Sequence, residues 1–405
     1  MIDNESYLME PGAGAGAGPA EDHKEEKVTD DGGEYPMMEG MMTDEGFAAE
    51  GEVNLAPEGK LALPSAVVAI PTLSGIRSEN FNSNAICERI HKVSSKWFQK
   101  KVNIVQCLID ELCVLNEPQR LEVVQLYSKK NKKNNLAKLI RANTKDCLRD
   151  VLLALTIPRC EYDAHWLNVA LRKKSVNLLI NILCAMSSED VKKARLAYDA
   201  LYPKTSLLKS VLDRTSGWFH KRTVQVFFSN LLEKGRPSDS DPIDKSLISK
   251  DAETLVKISK NTKLDKASFV EIFSLRSFEH LAAVAVEFQR ICEGKDLISV
   301  IKESFKEQSE TGYACNVTLF YATRRNELFA DFLTKTIAKP GKHYDMLTRI
   351  VVSRSEVDLY NILQCYGHDK FREWTNKEFA SSNRFYGKVV HHLCGFQNQP
   401  TEKKK

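Results

Sequence analysis

The residues in this sequence best equipped for chemistry are its histidines, cysteines and lysines, and their spacing excludes more than it supports. His391 and His392 precede Cys394 closely enough to suggest a metal, but adjacent residues on a helix face different ways, so the set does not converge. Gly12-Ala-Gly-Ala-Gly-Ala-Gly18 has the glycines of a phosphate loop. No strand precedes it and no Lys-Ser or Lys-Thr follows, so it reads as flexible chain. No Ser/His/Asp or Cys/His grouping forms a recognisable motif, and no enzymatic activity is expected. Lysine alone recurs in a pattern. Lys92-Val-Ser-Ser-Lys-Trp-Phe-Gln-Lys-Lys101, Arg172-Lys-Lys-Ser-Val176, Lys260-Asn-Thr-Lys-Leu-Asp-Lys266 and Lys339-Pro-Gly-Lys-His343 each place two or more cations between apolar runs. The further run Lys129-Lys-Asn-Lys-Lys133 reads as a solvated turn, and no nucleic-acid partner is expected.

The charge is unevenly spread. Residues 1–60 hold 16 acidic residues against Lys24, Lys27 and Lys60, a net of −13. With +4 on the whole chain, residues 61–405 carry +17. Composition of the first kind does not bury enough apolar surface to fold and predicts a disordered acidic segment. A net charge of the second kind attracts phosphate-rich partners. The ten cysteines form no Cys-x-x-Cys, and most lie among Leu, Ile and Val in helical patterns, the habit of buried free thiols in a reducing compartment. The first residues are acidic and lack the apolar core of a signal peptide. No stretch approaches a spanning length. A cytoplasmic protein with peripheral membrane contact is expected.

The lysine clusters sit at corresponding places in four similar units. Leu108-Ile-Asp-Glu-Leu-Cys-Val-Leu115, Leu179-Ile-Asn-Ile-Leu-Cys-Ala-Met186, Phe269-Val-Glu-Ile-Phe-Ser-Leu-Arg276 and Leu347-Thr-Arg-Ile-Val-Val-Ser-Arg354 share one apolar pattern. A polar turn follows each, then an amphipathic run ending on an aromatic residue: Tyr127, Tyr198, Phe288 and Tyr366. An apolar run precedes each segment and another closes each unit. Apolar positions recur at helical spacing and strict alternation is scarce. Each unit therefore holds four or five short helices that cannot bury their apolar faces alone. The longest interval, between the second and third copies, contains Gly235-Arg-Pro-Ser-Asp-Ser-Asp-Pro242, a linker composition.

Met346-Leu-Thr-Arg-Ile-Val-Val-Ser-Arg-Ser-Glu-Val-Asp-Leu-Tyr-Asn-Ile362 resembles the second and third helices of the last annexin repeat, and Lys388-Val-Val-His-His-Leu-Cys-Gly395 resembles the annexin C-terminus. Glu161-Tyr-Asp-Ala164, Thr215-Ser-Gly217, Pro118-Gln-Arg120 and Leu275-Arg-Ser-Phe278 extend the resemblance to the other units, over roughly residues 81–397. The resemblance implies an all-α protein in which four repeats of about five helices form a curved disc. The repeats are expected over 81–158, 159–234, 245–323 and 324–397, with a disordered acidic segment over 1–80, a linker over 235–244 and a basic tail over 398–405. It also implies that the first inter-helix loop of each repeat, on a convex face, meets acidic phospholipid through calcium. That loop is Gly-x-Gly-Thr-like in the family, and an acidic side chain about 40 residues later completes the ligand set. Calcium wants several hard oxygens, and glycines let a loop turn its carbonyls inward.

These four loops depart from the pattern. Only the fourth keeps a glycine, Gly341, and the acidic positions align with Ala142, Arg214, Ser304 and, after a two-residue insertion, a region near Glu378. Calcium is therefore expected weakly at the fourth repeat, through Gly341 and Glu378, and not elsewhere. Lysine replaces what is lost. The expected lipid contacts are Lys96, Trp97, Phe98, Lys100, Lys173, Lys174, Lys263, Lys266, Lys339 and Lys342. Cations contribute about 1 kcal/mol each near an anionic surface, and aromatic rings favour the headgroup zone. The competing reading is that the lysines are solvated groups favouring helix C-termini, with Trp97 or Phe98 in the core. Two functions follow: peripheral binding to acidic phospholipid with calcium dependence reduced or lost, or a helical scaffold for protein or cytoskeletal partners. Arg276 and Arg354, at one repeat position, are expected to be structural, meeting the last carbonyls of their helices.

Overall fold

The computed structural model describes residues 81–95, 100–131, 135–216, 222–260, 266–305, 309–338 and 344–396. The segments expected over 1–80 and 398–405 lie outside them. Among the described residues there are twenty α-helices and no strand, in four groups of five. The first group is α1 (Ser83–Ser94), α2 (Lys101–Leu112), α3 (Glu117–Lys130), α4 (Leu136–Asn143) and α5 (Asp146–Ala154). The second is α6 (Arg159–Arg172), α7 (Val176–Leu183), α8 (Ser188–Leu201), α9 (Leu207–Thr215) and α10 (Arg222–Ser229), which runs on as a π-helical turn over Asn230–Lys234. The third is α11 (Lys245–Lys260), α12 (Lys266–Leu275), α13 (Phe278–Ile291), α14 (Leu297–Ser304) and α15 (Glu310–Thr323). The fourth is α16 (Arg325–Ile337), α17 (Tyr344–Arg354), α18 (Leu359–Tyr366), α19 (His368–Glu378) and α20 (Arg384–Leu393).

Local chemistry sets the helix starts. Asn116 and Gln119 form a reciprocal capping box at α3, with Pro118 in the first turn. Ser175, Ser187, Ser206 and Ser277 cap α7, α8, α9 and α13, each side-chain oxygen accepting from the backbone N–H three residues on. The shared apolar segment of each unit is its second helix. The run ending on an aromatic residue is its third, with Tyr127, Tyr198 and Phe288 buried and Tyr366 half-buried.

Within each group the first and third helices pack together: α1 with α3, α6 with α8, α11 with α13 and α16 with α18. Between groups the pairing does not follow chain order. Helices α2 and α5 of the first meet α20 and α17 of the fourth, while α7 and α10 of the second meet α15 and α12 of the third. Apolar burial at these seams is the main stabilising term, at about 1.5–3 kcal/mol per large side chain. No helix among the described residues is long and apolar enough to cross a membrane.

Arginines fasten the helices, both across the seams and within single repeats. Arg120 donates to the carbonyl oxygens of Leu155, at 2.9 Å, and of Leu115, and to Glu356 Oε1 of the fourth repeat at 2.7 Å. Arg276 and Arg354 do not meet terminal carbonyls as expected but bind carboxylates. Arg276 Nε is 2.7 Å from Asp251 Oδ2, which also pairs with His280 Nε2 at 2.9 Å. Arg354, buried, holds Asp358 through two hydrogen bonds and stacks over Phe329. A carboxylate supplies these guanidinium groups with a counter-charge that a carbonyl would not. The carbonyls ending α12 are met from elsewhere. Arg236, in the connector after the second repeat, is buried and donates to the oxygens of Arg276, at 2.7 Å, and Phe273.

Candidate lipid-binding loops

The connection between α6 and α7 is the best defined of the four first loops. Helix α6 ends at Arg172, and Lys174 adopts φ 57°, the left-handed region that favours glycine. The N–H of Ser175 donates to Ala170 O at 3.0 Å and that of Lys174 to Leu171 O at 3.1 Å, a Schellman closure with lysine in the glycine place. Ser175 then caps α7 through Leu178 N–H. The loop N–H groups are thereby turned back onto the last turn of α6. Lys174 is exposed. Lys173 is half-buried, with its Nζ 3.6 Å from Asp345 Oδ2 of the fourth repeat, so its charge is engaged within the protein.

In the first and third repeats the lysines stand on the far side of the loop. Lys100 is the N-cap residue of α2 and offers no capping side chain. It is exposed, as are Lys101 and the adjacent Val102, the latter 56% exposed. Lys266 opens α12 and is exposed. Helix N-termini carry positive partial charge, so cations there are disfavoured, by about 0.3–1 kcal/mol for surface groups. The C-terminal explanation for loop lysines does not cover these three. Lys96, Trp97, Phe98, Lys263, Lys339, Gly341 and Lys342 lie outside the described residues. Sequence reasoning missed Lys101 and Val102, although Lys100-Lys-Val102 is a cationic pair followed by an apolar residue at the loop's edge.

The four residues aligned with the acidic ligand lie in the last turns of the fourth helices: Ala142 in α4, Arg214 in α9, Ser304 in α14 and Glu378 in α19. Only Glu378 carries a carboxylate. It accepts a hydrogen bond from the hydroxyl of Tyr344, the residue directly after the loop over 339–343. The Tyr344 ring is held by Phe379 and Tyr386, at centroid distances of 5.3 and 5.7 Å. Burial, and then the Glu378 charge, raise the Tyr344 phenol above its ordinary range. No group of three or more His, Cys, Asp and Glu side chains converges to hold a metal among the described residues. His391 instead meets Thr375 Oγ1 at 2.9 Å.

The sequence profile described as Annexin matches residues 250–312. Mouse annexin A13 is 30% identical over 258 residues, covering 63% of this chain and 78% of that protein. Xenopus laevis annexin A7 is 27% identical over 291 residues, 71% of this chain and 54% of that protein. Annexin III superposes with a TM-score of 0.68 at 24% identity, over 78% of this chain and 95% of that one. The chain spans about half the length of annexin A7 and of rabbit annexin A11. The chain belongs to the annexin family.

Proposed function

We propose that this annexin binds acidic phospholipid surfaces peripherally, through cations of its inter-helix loops, with calcium dependence reduced. The observation carrying this reading is that Lys100, Lys101 and Lys266 are exposed at helix N-termini, where a cation weakens its own helix. Charge kept where it costs stability points to a partner. Val102, exposed beside them, suits a headgroup boundary, and Lys174 adds a cation from the second repeat. Lys96, Trp97, Phe98, Lys263, Lys339 and Lys342 belong to the same proposed surface through their place in the sequence.

Calcium fits unevenly. The second repeat closes its loop with its own hydrogen bonds and has Arg214 where the acid would be. The first and third have Ala142 and Ser304 there. The fourth alone keeps a carboxylate, Glu378, beside the end of a loop containing Gly341, and it would hold the ion weakly because Tyr344 already occupies that carboxylate. Glu378 and the loop containing Gly341 would hold the ion, which would supply positive charge for a lipid phosphate.

The test is co-sedimentation of the full chain with phosphatidylserine/phosphatidylcholine vesicles, in chelator and in calcium, across a salt series. Binding in chelator that weakens steeply as salt rises is expected, since screening acts over about 10 Å at 0.1 M. The triple variant K100E/K101E/K266E is expected to lose most of it while its melting temperature rises, since acidic side chains suit helix N-termini. Binding only with millimolar calcium would overturn the lysine mechanism. Absence of binding under every condition would favour a protein-binding scaffold.

A further inference from the structure

Phospholipid contact uses Lys174 and leaves the serine after it without a part. Arg172-Lys-Lys-Ser175 is the one place in the chain where a serine or threonine follows three consecutive cations. The structure puts that run at the surface, in the connection between α6 and α7. Arg172 and Lys174 are exposed, and Lys173 and Ser175 are half-buried. Directly beyond Ser175 the chain re-enters the core at Val176, which is 6% exposed. The accessible side of the serine is therefore the cationic side.

The local geometry suits a change of charge at this hydroxyl. Lys174 closes the end of α6 at φ 57°, a conformation disfavoured for a residue with a side chain. The closure is thus a weak point at which the chain can be drawn out. Ser175 Oγ accepts from the Leu178 N–H at 3.2 Å as the cap of α7. A phosphate ester keeps acceptor oxygens at that place and adds about two negative charges at a helix N-terminus, where they are favoured. Modification therefore leaves α7 in place while cancelling about two of the three positive charges of Arg172, Lys173 and Lys174. Asp345 of the fourth repeat, 3.6 Å from Lys173, already draws on that lysine. The loop changes from one that attracts a lipid phosphate to one that repels it.

We propose that Ser175 is a phosphorylation site for a protein kinase that reads cations on the N-terminal side of its acceptor, and that the modification releases the second repeat from acidic phospholipid. The release rests on the phospholipid reading above. In the transfer, Ser175 Oγ bonds to the γ-phosphorus of ATP and the bond to the β,γ-bridging oxygen breaks. ADP leaves with that electron pair, and the hydroxyl proton passes to the kinase's catalytic carboxylate.

The full chain is incubated with the catalytic subunit of cyclic-AMP-dependent protein kinase and magnesium ATP, and its phosphates are mapped by mass spectrometry. It is then co-sedimented with phosphatidylserine/phosphatidylcholine vesicles in chelator. Phosphate is expected on Ser175, with vesicle affinity about tenfold below that of the untreated chain and a melting temperature unchanged or higher. Ser175→Asn keeps a capping side chain and has no hydroxyl to modify. It is expected to bind vesicles alike before and after treatment. Arg172→Gln removes a cation the kinase reads and is expected to slow the modification. A folded chain that takes no phosphate at Ser175 overturns the proposal, whether or not the heat-unfolded chain is modified there. An equal loss of binding by treated Ser175→Asn also overturns it, by placing the effect at another residue. If the untreated chain binds no vesicles, the phospholipid reading falls and the release falls with it. If the untreated chain binds and phosphate on Ser175 changes nothing, the release alone falls.

Discussion

Arg120 of the first repeat and Glu356 of the fourth meet at 2.7 Å. The same guanidinium closes the carbonyls of Leu115 and Leu155, while the other oxygen of Glu356 accepts from the backbone N–H of Glu117 at 3.0 Å. Arg120→Ala strips partners from two buried carbonyls and a carboxylate and is expected to lower the unfolding free energy by about 3 kcal/mol in urea titration. Glu356, partly in water, is the less costly side to change. Glu356→Gln is expected to lose about 1 kcal/mol. A loss below about 1 kcal/mol for Arg120→Ala would show that the clasp does not hold the two repeats.

Asp163 and Asp251 occupy one place in two repeats, each followed by alanine and, three residues later, by leucine, and they titrate in opposite directions. Burial pushes the Asp251 carboxyl up, but hydrogen bonds from His280 and Arg276 outweigh it and leave the group below its usual range. The unfolded chain then binds the proton more tightly. Asp251 contributes its stability in full at neutral pH and loses it as pH falls through the carboxylate range. For Asp163 burial prevails over Arg159 and Arg349, so the group is raised. The native state holds the proton more tightly, and stability falls as pH rises past the ordinary carboxylate value. Urea titrations from about pH 4 to 7 are expected to show Asp251→Asn destabilising increasingly toward neutrality and Asp163→Asn relieving a penalty there. Parallel pH profiles for the two variants would refute the assignment.

Lys174 holds a left-handed backbone that suits glycine. Lys174→Gly is expected to raise the unfolding free energy by about 0.5–1 kcal/mol while weakening vesicle binding. A lower melting temperature would mean that the Schellman closure depends on the lysine side chain.

Gly312 and Gly387 occupy the fifth helices of the third and fourth repeats, where an added Cβ would lie 2.6 Å from the Cβ of Phe305 and of Phe379 respectively. Both phenylalanines are buried. Gly312→Ala and Gly387→Ala are each expected to cost about 1–3 kcal/mol, read as a fall in melting temperature. Neutral behaviour of either would show that the backbone gives way.

The helices legible in the sequence are those whose apolar spacing covers several turns, such as α2 and α13. The fourth helices do not stand out in the sequence, because eight residues, as in α4 or α14, give only two turns of pattern. Arg236 was hidden by its surroundings. Gly235-Arg-Pro-Ser-Asp reads as turn chemistry, and the carbonyls that bury the guanidinium belong to a helix not adjacent in sequence. Lys173 reads as a surface cation in the sequence, since its partner Asp345 lies in another repeat. The equivalence of Ala142, Arg214 and Ser304, each in the last turn of a fourth helix, is legible because the repeats share one frame.

Repetition does not make the repeats interchangeable. The third repeat supplies Asp251 with Arg276 and His280 from its own helices. The second has Met186 where Arg276 would stand, and Asp163 draws on Arg159 of its own helix and then on Arg349 from the fourth. A chimera that separates the second repeat from the fourth leaves Asp163 with Arg159 alone and takes Arg349 away, while one that moves the third repeat without the connector before it takes Arg236 from the carbonyls ending α12.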